Sequence, residues 1–142
     1  MSLHESKAGK VVFARLIENE DLLEAIASVS KQAKIPAGFF TLIGTLKRAK
    51  LGFYRDGKYE PIEIARFLEI VSCIGNISSK GKESIVHAHI AVSDEKGQTF
   101  GGHVLPTCLV ATAELMLIEA AGMKLERKFN DKTKLSLWAF DQ

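Results

Sequence analysis

The chain has 142 residues, 46% of them hydrophobic, and a formal net charge of +2 from 19 Lys and Arg against 17 Asp and Glu. That length and apolar content predict a single packed domain over residues 1–142, which needs no metal or disulfide merely to fold. The near-balanced charge leaves nucleic acid open as a partner but supplies no strong basic field to mark one.

The cysteines, Cys73 and Cys108, lie in apolar runs. They read as buried free thiols, with a disulfide the less favoured alternative, which fits a reducing compartment. The longest apolar run, Cys108 to Ala121, is broken by Glu114 and Glu119 and is too short to cross a bilayer. Met1 to Lys10 is polar and lacks the apolar core of a signal peptide. A soluble cytoplasmic protein with no membrane partner is therefore expected. Met1-Ser2-Leu3 reads as a cloning remnant, so His4 is given no weight.

In chain order, Val11 to Ile17 reads as a strand. Leu22, Leu23, Ile26, Val29 and Ala33 then recur at helical spacing, which predicts an amphipathic helix over Asp21 to Lys34. Asn19 or Asp21 caps its start, and Ile35-Pro36-Ala37-Gly38 ends it. Gly38 to Leu46 and Ala49 to Tyr54 are both β-like, and Arg55-Asp56-Gly57-Lys58 carries an Asp-Gly turn signature. Phe67 to Ile77 alternates as a strand does, and Ser78 to Lys82 reads as a polar loop. Ser84 to Ser93 and Gln98 to Val104 form a hairpin about Asp94 to Gly97. Leu109 to Glu119 is ambiguous: its composition favours a helix, while its alternation suits a strand. Leu135 to Phe140 closes with a strand. One long helix beside many strands predicts an α+β domain, a mostly antiparallel or mixed β-sheet packed with one main α-helix.

Three of the four histidines, His87, His89 and His103, fall within the predicted hairpin. Along its first strand Val86, Ala88, Ile90 and Val92 share one face, which is apolar and suits the core. His87, His89, Ala91 and Ser93 share the other. A three-residue loop, Glu95-Lys96-Gly97, places glycine at the left-handed third position. That register sets His89 opposite His103, with Cβ atoms roughly 4.5–5.5 Å apart, and His87 diagonal to them on the same face. A two-residue loop would pair His103 with Ala88 and turn it to the wrong side. Gly101-Gly102 offers a place for a bulge that re-aims His103. Histidines on a half-exposed sheet face can be merely solvated, and a lone His-x-His is read that way. A third histidine in register raises the alternative of a metal site with an open position. Three neutral imidazoles suit zinc and are compatible with nickel, cobalt or copper.

With these motifs on the page, the chain resembles the plants-and-prokaryotes-conserved (PPC) domain family from about Arg15 to about Ala121. The residues Arg15-Leu-Ile-Glu-Asn-Glu-Asp-Leu-Leu look like its opening arginine strand and acidic helix start. Gly44-Thr-Leu-Lys-Arg-Ala-Lys-Leu-Gly52 looks like its glycine-punctuated hairpin, and Glu69-Ile-Val-Ser-Cys-Ile-Gly75 like its glutamate-to-glycine strand. His87-Ala-His89 and Gly101-Gly102-His103 match its three-histidine pattern. The resemblance implies a sheet packed with one main helix, a homotrimer, and a strand at Leu109 to Glu119. It also implies zinc or a similar divalent metal on His87, His89 and His103. Family members are described as predicted DNA-binding proteins, and plant members carry an Arg-Gly-Arg-Pro AT-hook that this sequence lacks.

Three functions follow from the residues and the resemblance together. One is a metal-binding trimer that binds DNA or protein partners, with Lys124, Arg127, Lys128, Lys132 and Lys134 as the basic segment; the plain reading of that segment is a solvated edge. Another is a metal-dependent enzyme acting on a small molecule, with Glu114 as general base because it interrupts an apolar run. Glu114 can instead pair with Arg15 or lie exposed. In the third, the histidines only organise polar packing between subunits.

Overall fold

An 18-residue strand, Gly38–Arg55, organises the molecule. The structure is a computed structural model that describes residues 3–140. Met1, Ser2, Asp141 and Gln142, which belong to the expected 1–142 domain, lie outside the described residues. The elements run β1 (Lys7–Leu16), α1 (Leu22–Ala33), β2 (Gly38–Arg55), β3 (Lys58–Ile64), β4 (Leu68–Lys80), β5 (Glu83–Ser93), β6 (Thr99–Val104), β7 (Leu109–Ala121), β8 (Glu126–Asn130) and β9 (Leu135–Ala139). The strands join in one sheet, antiparallel except for a single parallel bridge between Ser79 of β4 and Glu126 of β8. The expected class, a mixed sheet with one main helix, is what the described residues show.

One edge of β2 pairs with β7 and then β6; the other pairs with β4 and then β3. Because β4 also pairs with β5, and β5 with β6, the strands β2, β4, β5 and β6 form a closed circuit. Phe40, Leu42, Leu51, Ile70, Ile90, Val92, Val104 and Leu115 fill the core on one face of this sheet. Leu22 and Ile26 of α1 are fully buried in the same cluster, and Leu23, Val29 and Ala33 pack at its margin. Both cysteines are buried free thiols. Burial pushes the Cys73 thiol up to about 12, so it stays protonated.

The helix begins and ends where its caps dictate. Asp21 is the N-cap: its Oδ1 accepts from the Leu23 and Glu24 amides, and its Oδ2 from the Thr107 amide at 2.6 Å. Asn19 instead accepts from Lys47 Nζ. Lys34 ends the helix in the left-handed conformation, φ 57°.

Several local expectations are corrected. The two strands read over Gly38 to Leu46 and Ala49 to Tyr54 are one strand, so Gly44 to Gly52 is no hairpin. The turn comes later, where Asp56 and Gly57 both take positive φ between Arg55 and its partner Lys58. Ser78 to Lys80 are strand rather than loop, because β4 pairs with β5 as far as Lys80 opposite Glu83 and turns over Gly81 and Lys82 alone. Leu109–Ala121, left open between helix and strand by its residues, is the strand that the resemblance implied, held by pairing on both edges against its helical composition. Strands β3 and β8 have no counterpart in the sequence reading. Among the described residues no helix is long and apolar enough to cross a membrane.

Candidate metal centre

The hairpin of β5 and β6 sets the three histidines. Gly97 takes φ +77° and donates its amide to the Asp94 carbonyl, and the Asp94 amide donates to Gln98. Asp94 Oδ1 also accepts from the Lys96 and Gln98 amides, which rigidifies the loop. That closes a three-residue turn, and the register runs from Ser93 opposite Thr99 to His89 opposite His103. The pairing is regular through Gly101 and Gly102, so no bulge re-aims His103. The glycines serve a close approach instead, since Gly102 lies against the Gly52 carbonyl of β2, and Gly52 pairs with His103. Ala88, Ile90 and Val92 are buried and turn the opposite face, with His87 and His89, outward.

The imidazole rings stand 5.0–5.4 Å apart, centroid to centroid. One nitrogen of each lies within 4.8 Å of the others. Zinc bonds of about 2.0–2.1 Å at tetrahedral angles space ligand nitrogens about 3.3 Å apart, so the rings would draw together around an ion. His103 is clamped from behind by Tyr59 of β3, whose ring stacks on it at 4.2 Å and 13°. Its Nδ1 is buried and has no hydrogen-bond partner among the described residues. A buried nitrogen without a partner is costly unless something binds it, and a metal ion is a fitting occupant.

Electrostatics keep the rings ready to ligate. Burial, with His87, His89 and Arg127 nearby, pushes His103 down to about 4. Burial first, then Arg127 and His89, also lowers His87. Both rings are therefore neutral at pH 7, the form a metal requires.

Arg127, from β8, was counted in the sequence with a basic edge. It turns inward instead. Its Nε donates to Ser78 Oγ at 2.7 Å, and its terminal nitrogens donate to the Ser136 carbonyl at 2.8 Å and to Asn76 Oδ1 at 2.9 Å. The last of these nitrogens is also 3.3 Å from His87 Nδ1. A guanidinium only donates, so His87 Nδ1 accepts and the hydrogen of the neutral ring sits on Nε2. Metal ligation through either nitrogen therefore requires His87 and Arg127 to part. Lys124 pairs with Glu126 at 3.5 Å and Lys134 with Asp131 at 3.9 Å, so these two expected surface cations, like Arg127, are engaged within the protein.

A groove of about 610 Å³ opens beside His87 and His89. His4, given no weight in the sequence reading, lines it and stacks on Phe140 at 4.6 Å. Glu114 lies elsewhere. It is exposed on β7, opposite Arg15 on one side and Ile43 on the other, in a smaller groove with Phe13 and Met116. The residues that sequence reasoning missed are Tyr59, Asn76 and Ser78, together with the inward role of Arg127. Arg127 is 40 to 51 positions from Asn76, Ser78 and His87, and no local pattern announces such a contact.

Residues 3–121 match the family model of the Plants and Prokaryotes Conserved (PCC) domain. The fold is similar to that of a plant- and prokaryote-conserved protein of Pyrococcus horikoshii, at 35% identity and TM-score 0.91, covering 100% of this chain and 99% of that one. It is likewise similar to a metal-containing protein of Archaeoglobus fulgidus, at 30% identity and TM-score 0.92, covering 99% and 100%. Among curated proteins, the bifunctional protein GlmU of Synechococcus sp. (strain JA-3-3Ab) is 32% identical over 116 residues. The match covers 80% of this chain but only 18% of GlmU, so the chain spans under a fifth of that relative's length. With the family model matched over residues 3–121, the histidine hairpin included, the chain belongs to the Plants and Prokaryotes Conserved domain family.

Proposed function

We propose that this protein binds a divalent transition metal, zinc first, on His87, His89 and His103, and works as a homotrimeric binding or regulatory protein. The observation that carries the metal reading is three imidazoles on one hairpin with a nitrogen of each within 4.8 Å of the others, the Nδ1 of His103 being buried with no hydrogen-bond partner among the described residues. A structural relative described as metal-containing supports it. When bound, the metal supplies a Lewis-acidic centre with a position open to a ligand. His103 is held by Tyr59, and the neutral state of His87 and His103 favours ligation at pH 7.

Self-association is supported by a broad apolar surface on the outer sheet face. Val11, Phe13 and Ile43 are each more than half exposed, across β1 and β2 and outside the lining of the histidine groove. DNA is the weaker partner reading, because the basic segment is partly consumed by its own ion pairs and by the inward turn of Arg127. The enzyme reading with Glu114 as base gains nothing from the structure, since Glu114 does not line the groove that holds His87 and His89.

The test is metal analysis of protein purified without added zinc. The wild type is expected to hold about one metal ion per chain, and a His87→Ala/His89→Ala variant with an unchanged circular dichroism spectrum only background. Equal, negligible metal in both overturns the reading.

A further inference from the structure

We infer that the histidine site takes a small carboxylate with an apolar body, the carboxylate at the open metal position and the body in the adjoining groove. This deepens the metal reading above and rests on it. Charge argues for the carboxylate. Three imidazoles are neutral ligands, and among the described residues no Asp or Glu joins their cluster. A divalent ion held there keeps its full charge, which an anionic ligand offsets.

Arg127 adds a second charge at the same place. Among the described residues its contacts go to a hydroxyl, a backbone carbonyl, an amide oxygen, an imidazole and the face of Trp138, and none of these is a carboxylate. Once His87 gives a nitrogen to a metal, its Nδ1 no longer accepts from Arg127. The guanidinium N–H that had pointed there becomes available beside the open position, and a guanidinium suits a carboxylate.

Shape argues for the apolar body. The groove of about 610 Å³ starts at His87 and His89 and is walled by Phe39, Ile74, Ile118, Met123, Trp138 and Phe140. A volume of that order holds a small organic molecule. Lys7 and Glu119 are the groove's own charged lining groups, of opposite sign and on the neighbouring strands β1 and β7 away from the histidines, while Arg127 lies outside this lining and reaches it beside His87. Glu119 stands on β7, separated from β5 by β2 and β4, and its Oε2 accepts the Lys10 amide at 3.0 Å. One cationic end and long apolar walls select an amphiphilic acid over both a neutral analogue and a bare anion.

Trp138 is the chain's one tryptophan and lines the groove, so its fluorescence reports occupancy. Zinc-loaded protein is titrated with 3-phenylpropionate, 3-phenylpropanamide and acetate, and zinc is measured on the same samples. The expected result is saturable binding of 3-phenylpropionate about tenfold or more tighter than the amide or acetate, a preference lost after chelation. Arg127→Gln, with zinc content verified, is expected to weaken the acid and leave the amide unchanged; an unchanged acid affinity removes Arg127 from the site. Zinc-loaded protein that binds acid and amide alike, or neither, overturns this inference and leaves the metal reading standing. Protein that holds no zinc overturns both.

Discussion

His103 is set apart from its two neighbours by what lies behind it. Tyr59 covers one face of its ring, its Nδ1 is buried with no hydrogen-bond partner among the described residues, and its pKa falls to about 4 through burial first and then His87, His89 and Arg127. The linkage has a definite sign. An unfolded chain protonates this histidine near 6.5, whereas the folded one resists until about 4. Between those values the unfolded state binds more protons, so stability is lost as pH falls through the window. His87, lowered by burial, Arg127 and His89, acts in the same direction. In metal-free protein held in chelator, the urea midpoint should be steady above about pH 6.5 and decline from there to about pH 4. His103→Gln should flatten that decline; a midpoint that rises on acidification would sink the account. The position of these rings was legible in the sequence, because Gly97 fixes the loop length and the loop fixes the register. Arg127 was not. It sits between Glu126 and Lys128 in a polar run, and only long-range folding turns it inward.

Whole elements were legible where one period dominated. The helix and the histidine strand each carry an uninterrupted apolar pattern, and each sits close to where that pattern places it. Strand β8, Glu-Arg-Lys-Phe-Asn, has a single apolar residue, and β3 is interrupted by Pro61, so neither signals itself before it pairs. The Gly44 to Gly52 stretch misled for a different reason. Its glycines mark irregular pairing and close approach within one strand, since the register of β2 against β4 shifts between Leu42 and Gly44. Gly75 shows how directly such approaches support the site. It lies on β4 between the Phe40 ring and the His87 carbonyl oxygen, and a Cβ there would collide with both. Gly75→Ala should therefore lift β5 from β4 at His87 and cost about 1–3 kcal/mol, read as a lower urea midpoint at unchanged slope. A midpoint equal to the wild type's would mean that the strands part more easily than this packing allows.

At the scale of the molecule, the closed circuit of β2, β4, β5 and β6 consumes its own edges, yet the outer face of the sheet stays apolar. Phe13 on β1 is 77% exposed, and Ile43 on β2 is 57% exposed. Phe13 begins a row in which it lies opposite Met116 and Met116 opposite Thr41, and Ile43 stands two residues from Thr41 along β2. Such a surface is costly to leave in water and marks an association site. A copy of the same chain is the occupant proposed here, and three copies the assembly. Phe13 and Ile43 lie outside the walls of the histidine groove, so charges placed there test assembly without touching the metal ligands. Wild-type protein should sediment at three times the chain mass, and Phe13→Glu/Ile43→Glu at the mass of one chain with its secondary structure kept. Wild type that sediments as a single chain, or a double variant that stays trimeric, would place the subunit contact elsewhere or remove it. Metal content gives the complementary readout. All three proposed ligands come from one chain, so the dissociated variant should hold as much zinc as the trimer.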